Sequence, residues 1–409
     1  MEQTQQRHQQ LSGVTKPALA PAGILIWIIG FSLMMQPLST DFYLASLPFI
    51  GTAFSVSPAQ VQDTLTYFAV GFGLAQLLVG PITDYFGRRP ALLCGALLFA
   101  LASVLCALAI DMRMLVAGRI LQAVGSCTAV LVARAIIRDA FSLAEAAQVM
   151  AKASTILSIG PLLGPILGGY LQAWFGWQAA FATLVLFGLM LLVLVWFSLP
   201  ETLSEKNADA LRPSYILWAY ADIARSPAFW RYALPGALSY AALFVFLSGA
   251  SQIQIAVLNV PPQYFGYLFA LGVIGYIGGT MSCQRLLPRL GVDATMKLGT
   301  TLALGAGLVF VLLVVLGVQH WSTIVIGHFL VVFAHGITFP CSQAGATRPF
   351  PERAGYASGL SGFCAMVFAI ITGLAVAHGF DGTMLPMSLC SLTLAVLIFL
   401  SGRLRPSLN

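Results

Sequence analysis

Residues 91–110 read ALLCGALLFALASVLCALAI, an unbroken apolar run without one charged side chain. About 20 such residues are what an α-helix needs to cross the hydrocarbon of a bilayer. The pattern recurs along the chain. Twelve apolar segments can be marked, at 22–48, 59–83, 90–110, 113–137, 146–171, 178–199, 229–257, 263–285, 295–317, 320–346, 355–379 and 383–402. Only 8% of the 409 residues are charged and 59% are hydrophobic, whereas soluble domains carry roughly 25% charged residues. So few charges cannot cover a water-facing surface of this size. Continuous runs, rather than ten-residue alternation, select helices over a β-barrel. The expectation is an all-α integral membrane protein with 12 transmembrane helices.

Threading those spans sorts the charges. Of the 20 lysines and arginines, all but Arg113 and Arg119 fall on the side of the chain termini. Basic residues mark the cytoplasmic side of a membrane, so both termini are expected in the cytoplasm. The net charge of +6 then sets topology, and no nucleic-acid partner is implied. Residues 1–20 are polar and Gln-rich, without the layout of a signal peptide, and are expected to form a disordered cytoplasmic lead. The longest inter-span segment, 200–228, mixes charges with Trp218 and Tyr220 and suits an amphipathic helix on the membrane surface. It separates a six-helix bundle at 21–199 from another at 229–402, and a cytoplasmic tail follows at 403–409. An internal repeat is faint: Gly80 aligns with Gly279, Asp84 with Cys283 and Arg88 with Leu287. The glycine packing surface recurs and the charges do not.

Seven cysteines stand singly, with no metal-ligand spacing. No phosphate-binding loop is present, which excludes ATP hydrolysis on this chain. No nucleophile and base sit at matched depth, so an enzyme is not expected.

Three motifs and one embedded acid remain. GPITDYFGRRP runs from Gly80 to Pro90, with Asp84, Gly87, Arg88 and Arg89 placed for a tight turn and polar contacts between halves. RILQAVGSCTA starts at Arg119 and contains Gln122. GPLLGPILGG places Gly160, Gly164 and Gly168 on one helical face, with Pro161, Pro165 and Gly169 beside them, a surface for close packing. Asp41 is the only charged residue between Lys16 and Asp63. A charge inside a span is costly and marks a functional candidate.

These motifs resemble the signatures of the major facilitator superfamily, with Tyr85 where the first pattern has a basic residue and Ala123 where the second has glycine. The third resembles the antiporter motif of its drug:proton branch. STDFYLASLP at 39–48, WFGWQAAF at 174–181 and LPETL at 199–203 resemble the bicyclomycin/chloramphenicol-resistance (Bcr/CflA) family. The resemblance implies the major facilitator fold and proton-coupled efflux of small organic molecules by alternating access. It places the carrier in the bacterial inner membrane, with no cofactor beyond the proton gradient. By resemblance, the contacts of the first motif form a cytoplasmic gate. A purine nucleoside or other metabolite carrier is the alternative, and a non-transporting receptor or scaffold is the reading from another class. Partners are then the small-molecule substrate, protons and lipid, and a monomer is expected.

Asp41 lies about seven residues before the outer end of its segment, and Arg119 about six after the start of its own, so each is ~10 Å below the surface. Burial and a nearby arginine act on a carboxylate's proton affinity in opposite directions. Asp41 is therefore expected to carry the proton, tuned by Arg119. Direct binding of a cationic substrate, or a structural cap, remains open for it. Gln36, Tyr43, Tyr67, Gln122, Tyr240, Phe244, His335 and Phe363 are the candidate substrate-lining residues, an amphipathic set suited to aromatic ligands.

Overall fold

Each long apolar run is helical in the computed structural model, which describes residues 22–404 except 142, 204, 208 and 209. The lead at 1–20 and tail residues 405–409 lie outside the described residues, and Arg7, Lys16 and Arg405 with them. In chain order the helices are α1 (Ala22–Asp41), α2 (Leu47–Phe54), α3 (Pro58–Phe86), α4 (Arg88–Ala107), α5 (Met112–Ala140), α6 (Leu143–Phe175), α7 (Gln178–Ser198), α8 (Pro213–Ala224), α9 (Pro227–Ser251), α10 (Pro262–Val315), α11 (Trp321–Thr347), α12 (Ala354–His378) and α13 (Leu385–Ser401). No strand occurs among the described residues.

Local chemistry sets the helix ends. Ser57 and Gln60 form a reciprocal capping box at the start of α3, with Pro58 in its first turn. The Asp111 carboxylate accepts from the Met114 N–H at 2.7 Å to open α5. α3 stops at Gly87, whose φ of 109° is open to glycine and strained for other residues. The 54-residue α10 is interrupted at Gly291 (φ 76°, ψ 173°), where two rods meet. With α13 shorter, the described residues supply about ten to twelve apolar helices.

The first segment runs further than the sequence suggests. Its apolar stretch is Gly23–Phe54, because α1 breaks at Asp41, turns through Leu44–Ser46 and resumes as α2. Asp41 therefore sits just past the middle of the stretch, deeper than expected.

Outward faces are apolar. On α3, Tyr67, Leu74, Leu78, Ile82 and Tyr85 are exposed at the spacing of one helical stripe. On α7, Phe197 is 80% exposed and Trp196 60%. Apolar stripes of this extent require lipid around them.

Early and late helices pack in two seams. In one, α3 runs along α12: Gly73 lies against Met366, and Gly359 and Gly362 against Gln76. In the other, α6 sits between α1 and α10. A Cβ at Gly168 would collide with the Phe42 carbonyl, and one at Gly169 with that of Pro262. Gly266 of α10 meets the Pro165 carbonyl in the same way. This second seam brings the backbones of α6 and α10 into direct contact.

At the α8 end, the inter-span segment folds partly into the expected helix. Tyr220 donates to the Leu77 carbonyl of α3 at 2.9 Å. Asp222 pairs with Arg353 at 2.9 Å, and Trp218 receives that guanidinium over its ring at 4.8 Å.

Candidate proton and substrate site

The break that ends α1 presents Asp41 to the interior. Its side chain is 5% exposed, and its carboxylate accepts from the Thr40 hydroxyl at 2.9 Å. Among the described residues no cation lies within ion-pair distance of it. Gly164 of α6 makes room for it, since a Cβ there would stand 3.2 Å from the Asp41 Cβ. Gly160, one turn away, rests against Met34 and Leu38. The glycine face of 160, 164 and 168 is thus the bed on which the Asp41 end of α1 lies. Pro161 and Pro165 are accommodated within α6.

Arg119 is not the partner of Asp41. Its guanidinium is fully buried and donates to the Ser39 carbonyl at 2.8 Å, the Thr64 carbonyl at 3.4 Å and Gln122 Oε1. It is sandwiched between the rings of Tyr43 and Phe68, each centroid 4.3 Å away. Gln122 passes the network to Ser103 Oγ at 2.7 Å. This arrangement ties α1, α3, α4 and α5 together. Arg119 fixes the backbone two residues before Asp41 without touching the carboxylate.

The candidate lining divides accordingly. Tyr43 bonds Thr64 at 3.1 Å and stacks on Arg119, so it and Gln122 belong to the packed core instead of a cavity. Tyr67 lies on the exposed outer stripe of α3. Phe363 is in the α3–α12 seam beside Gly73. The remaining candidates do converge. Gln36 Nε2 reaches the Tyr240 hydroxyl at 3.5 Å, and Tyr240 is an electrostatic neighbour of Asp41. Phe244 follows Tyr240 on α9 with ring centroids 6.5 Å apart. His335 Nδ1 bonds Ser239 Oγ at 2.9 Å, and its ring lies 6.2 Å from Tyr240, 5.7 Å from Tyr276 and 5.0 Å from Phe339. A strip of aromatic and polar groups from α1, α9, α10 and α11 thus begins at Asp41.

The Gly80–Pro90 motif is built differently from its expectation. Gly87 is required twice over, by its φ of 109° and by the Glu201 carboxylate seated against it. A Cβ at Gly80 would meet nothing within 4 Å. Its repeat counterpart Gly279 does pack, against the Phe333 carbonyl. Arg88 is 2% exposed and holds Asp84 at 2.6 Å, Asp139 at 2.7 Å and Thr83 Oγ1 at 2.8 Å. Glu201 accepts from the N–H groups of Arg88 at 2.9 Å and Arg89 at 3.3 Å. Arg89 also donates to the Trp196 carbonyl at 2.9 Å. All these contacts of Arg88 and Arg89 stay within residues 83–201, so they do not bridge the early and late helices. Sequence reasoning misses Asp139 and Glu201 as partners, although both sit in conspicuous places, one after RAIIR and one in LPETL.

The Major Facilitator Superfamily model matches residues 29–373. The chain belongs to that superfamily. Membership makes it a multi-pass membrane transporter and not an enzyme. Relatives in the superfamily include the bicyclomycin resistance protein homolog of Haemophilus influenzae, 30% identical over 89% of this chain and 91% of that protein. The chloramphenicol resistance protein of Pseudomonas aeruginosa is 29% identical over 79% of this chain and 76% of its own length. These similarities agree with the Bcr/CflA resemblance. Among solved superfamily structures, the partially occluded inward-open xylose transporter XylE from E. coli aligns with TM-score 0.73 at 13% identity, covering 93% of this chain and 96% of that one. An inward-facing bacterial homolog of the lysosomal transporter Spinster aligns with TM-score 0.63 at 16% identity, covering 94% and 98%. At these identities the structural likeness speaks for the fold alone.

Proposed function

We propose that this chain exports small organic molecules across the bacterial inner membrane in exchange for protons, with Asp41 as the proton carrier. Counting α1 with α2 as one span and α10 as two gives 12 spans in two six-helix halves joined by the α8 segment. Both termini and α8 then lie in the cytoplasm, where the arginines gather. The observation that carries the reading is the isolation of Asp41. An ionised carboxylate buried without a counter-charge is expensive, and one proton removes the expense. Its neighbours favour a coupling role. Gly164 places it against α6, which also touches α10, and Tyr240 places it beside α9. Its charge state is therefore felt where the halves meet. A substrate on the strip from Tyr240 to His335 competes with the neutral acid for the same space. One proton moving inward across 100 mV contributes ~2.3 kcal/mol from the potential alone, enough to bias an alternating-access cycle without a cofactor.

In this reading the α6–α10 seam closes the outer side and the Gly80–Arg89 region forms part of the cytoplasmic gate. Proteoliposomes carrying wild type or Asp41→Asn test it, by substrate-induced proton release on addition of chloramphenicol-like drugs or purine nucleosides. Release from wild type and none from Asp41→Asn is expected, and the active compound names the cargo class. Undiminished release from Asp41→Asn removes Asp41 from the coupling step.

A further inference from the structure

Past the end of α13 the chain docks on the second rod of α10, the part that follows Gly291. Gly402 sits against Thr300, whose side chain a Cβ there would strike. Arg403 follows and is turned onto the same rod. Its Nη2 donates to Thr301 Oγ1 at 2.9 Å and its Nη1 to Thr300 Oγ1 at 3.5 Å. Its guanidinium also lies 4.3 Å from the centroid of the Phe399 ring. The two threonine hydroxyls in turn donate to the Lys297 carbonyl, at 3.0 Å from Thr300 and 2.7 Å from Thr301. One turn of α10 thus receives the arginine and carries a lysine. Lys297 and Thr301 are four residues apart, hence neighbours on one helical face, and both are exposed.

This arginine is held differently from the others near the α8 end. Arg353 pairs with Asp222, Arg231 with Asp293, and Arg88 with Asp84 and Asp139. Arg403 is oriented by neutral groups alone. Among the described residues neither Arg403 nor Lys297 has a carboxylate partner. Asp293, one turn before Lys297, is already engaged by Arg231 at 3.0 Å and by the Tyr232 hydroxyl at 2.7 Å. The threonines occupy two of the guanidinium donors and leave the others for a ligand. The surrounding surface is apolar. Leu298 and Leu302 on the rod, and Leu397, Leu400 and Leu404 at the end of α13, are all exposed. Such a surface belongs in lipid, and basic side chains at its rim reach the headgroup layer. A guanidinium fixed in direction and uncompensated in charge matches a phosphate, and basic pockets between helices suit anionic headgroups.

We propose that Arg403 and Lys297 bind the phosphate of an anionic phospholipid, whose acyl chains lie along Leu298, Leu302 and Leu400. The site goes beyond the efflux reading and does not depend on it. It selects an acidic lipid over a zwitterionic one, because it supplies two positive charges and no acid to receive a choline or ethanolamine head. The bound lipid fastens the segment after α13 to α10.

The test titrates the purified full-length chain in detergent with dioleoylphosphatidylglycerol or dioleoylphosphatidylcholine and counts bound lipids by native mass spectrometry. Wild type is compared with Arg403→Gln, Lys297→Gln and Arg225→Gln. Arg225 is an exposed arginine at the end of α8, outside the site. A basic residue beside the headgroup contributes about fivefold in affinity, and a charge-assisted hydrogen bond about tenfold or more. Wild type is expected to hold one phosphatidylglycerol about tenfold more tightly than phosphatidylcholine. Phosphatidylglycerol binding is expected to weaken about tenfold in Arg403→Gln, about fivefold in Lys297→Gln and less than about twofold in Arg225→Gln, with phosphatidylcholine unchanged throughout. Equal affinity of wild type for the two lipids overturns the proposal. Equal weakening in all three variants also overturns it, by reducing the preference to surface charge at large. Loss of both lipids together in Arg403→Gln overturns it by making the arginine structural. Should Arg403→Gln fail to fold, Lys297→Gln decides, since that side chain is exposed and has no hydrogen bond or ion pair among the described residues. Phosphatidylglycerol affinity unchanged in Lys297→Gln overturns the proposal.

Discussion

Two arginines on one helix have opposite surroundings. Arg119 is enclosed by Tyr43, Phe68, two carbonyls and Gln122. Arg134, near the other end of that helix, is exposed and has no hydrogen bond or ion pair among the described residues. Arg119 binds its neighbours through Nε and Nη1 while its buried Nη2 has no hydrogen-bond partner among the described residues, whereas Arg134 makes no such bonds among them. Residue type does not separate the two cases; the contacts that each guanidinium makes do.

The largest effect expected from breaking this comparison is at Arg119. Arg119→Ala removes the donor to the Ser39 carbonyl and to Gln122 Oε1, and each buried orphan costs about 1–3 kcal/mol. The thermal midpoint in detergent is expected to collapse, with little monodisperse protein on size-exclusion chromatography. Arg119→Lys is expected to recover little, because a point charge cannot fill the ring sandwich and the fork of acceptors together. A stable Arg119→Ala protein would show that the sandwich is dispensable. Next comes Asp41→Asn. It is expected to fold with a midpoint near that of wild type, since the Thr40 hydroxyl is the one donor whose bond to the carboxylate weakens, while proton coupling disappears.

The same contrast extends to the repeated glycines. Gly279→Ala drives a methyl into the Phe333 carbonyl and is expected to destabilise by about 1–3 kcal/mol. Gly80→Ala meets open space and is expected to be neutral or to stabilise by about 0.5–1 kcal/mol through helix propensity. Parallel thermal melts of the two variants check the difference. The smallest effect on stability belongs to Arg134→Gln, expected within about 0.5 kcal/mol of wild type in the same melts. A large fall there would place Arg134 in the same class as Arg119.

The membrane class, the helical runs and the oddity of Asp41 and Arg119 are legible in the sequence because each is a local property of composition. The failures share one cause, which is direction. Tyr43 follows the break at Asp41, so its facing depends on a turn that the apolar run conceals. Gln122 is polar in an apolar span, which reads equally as cavity lining or as a core network; its bond to Ser103 decides for the core. Tyr67 is the avoidable error, since Leu74, Leu78 and Ile82 already define an outward stripe through it. The shared layer expected for Asp41 and Arg119 holds in the backbone, through the Ser39 carbonyl, and fails in the side chains.

The two ends of the molecule are also held by different forces. Where α6 meets α10, carbonyls of Pro165 and Pro262 rest directly on glycines, with a tyrosine pair, Tyr170 and Tyr267, 3.1 Å apart nearby. No charge takes part. At the α8 end, the half-exposed Arg353–Asp222 pair and the Asp84 side of the Arg88 pair are open to screening by salt, whose reach is ~10 Å at 0.1 M. Close backbone packing therefore holds one end, and ionic strength acts on the other. Added salt is thus expected to loosen one end of the molecule and to leave the other as it is.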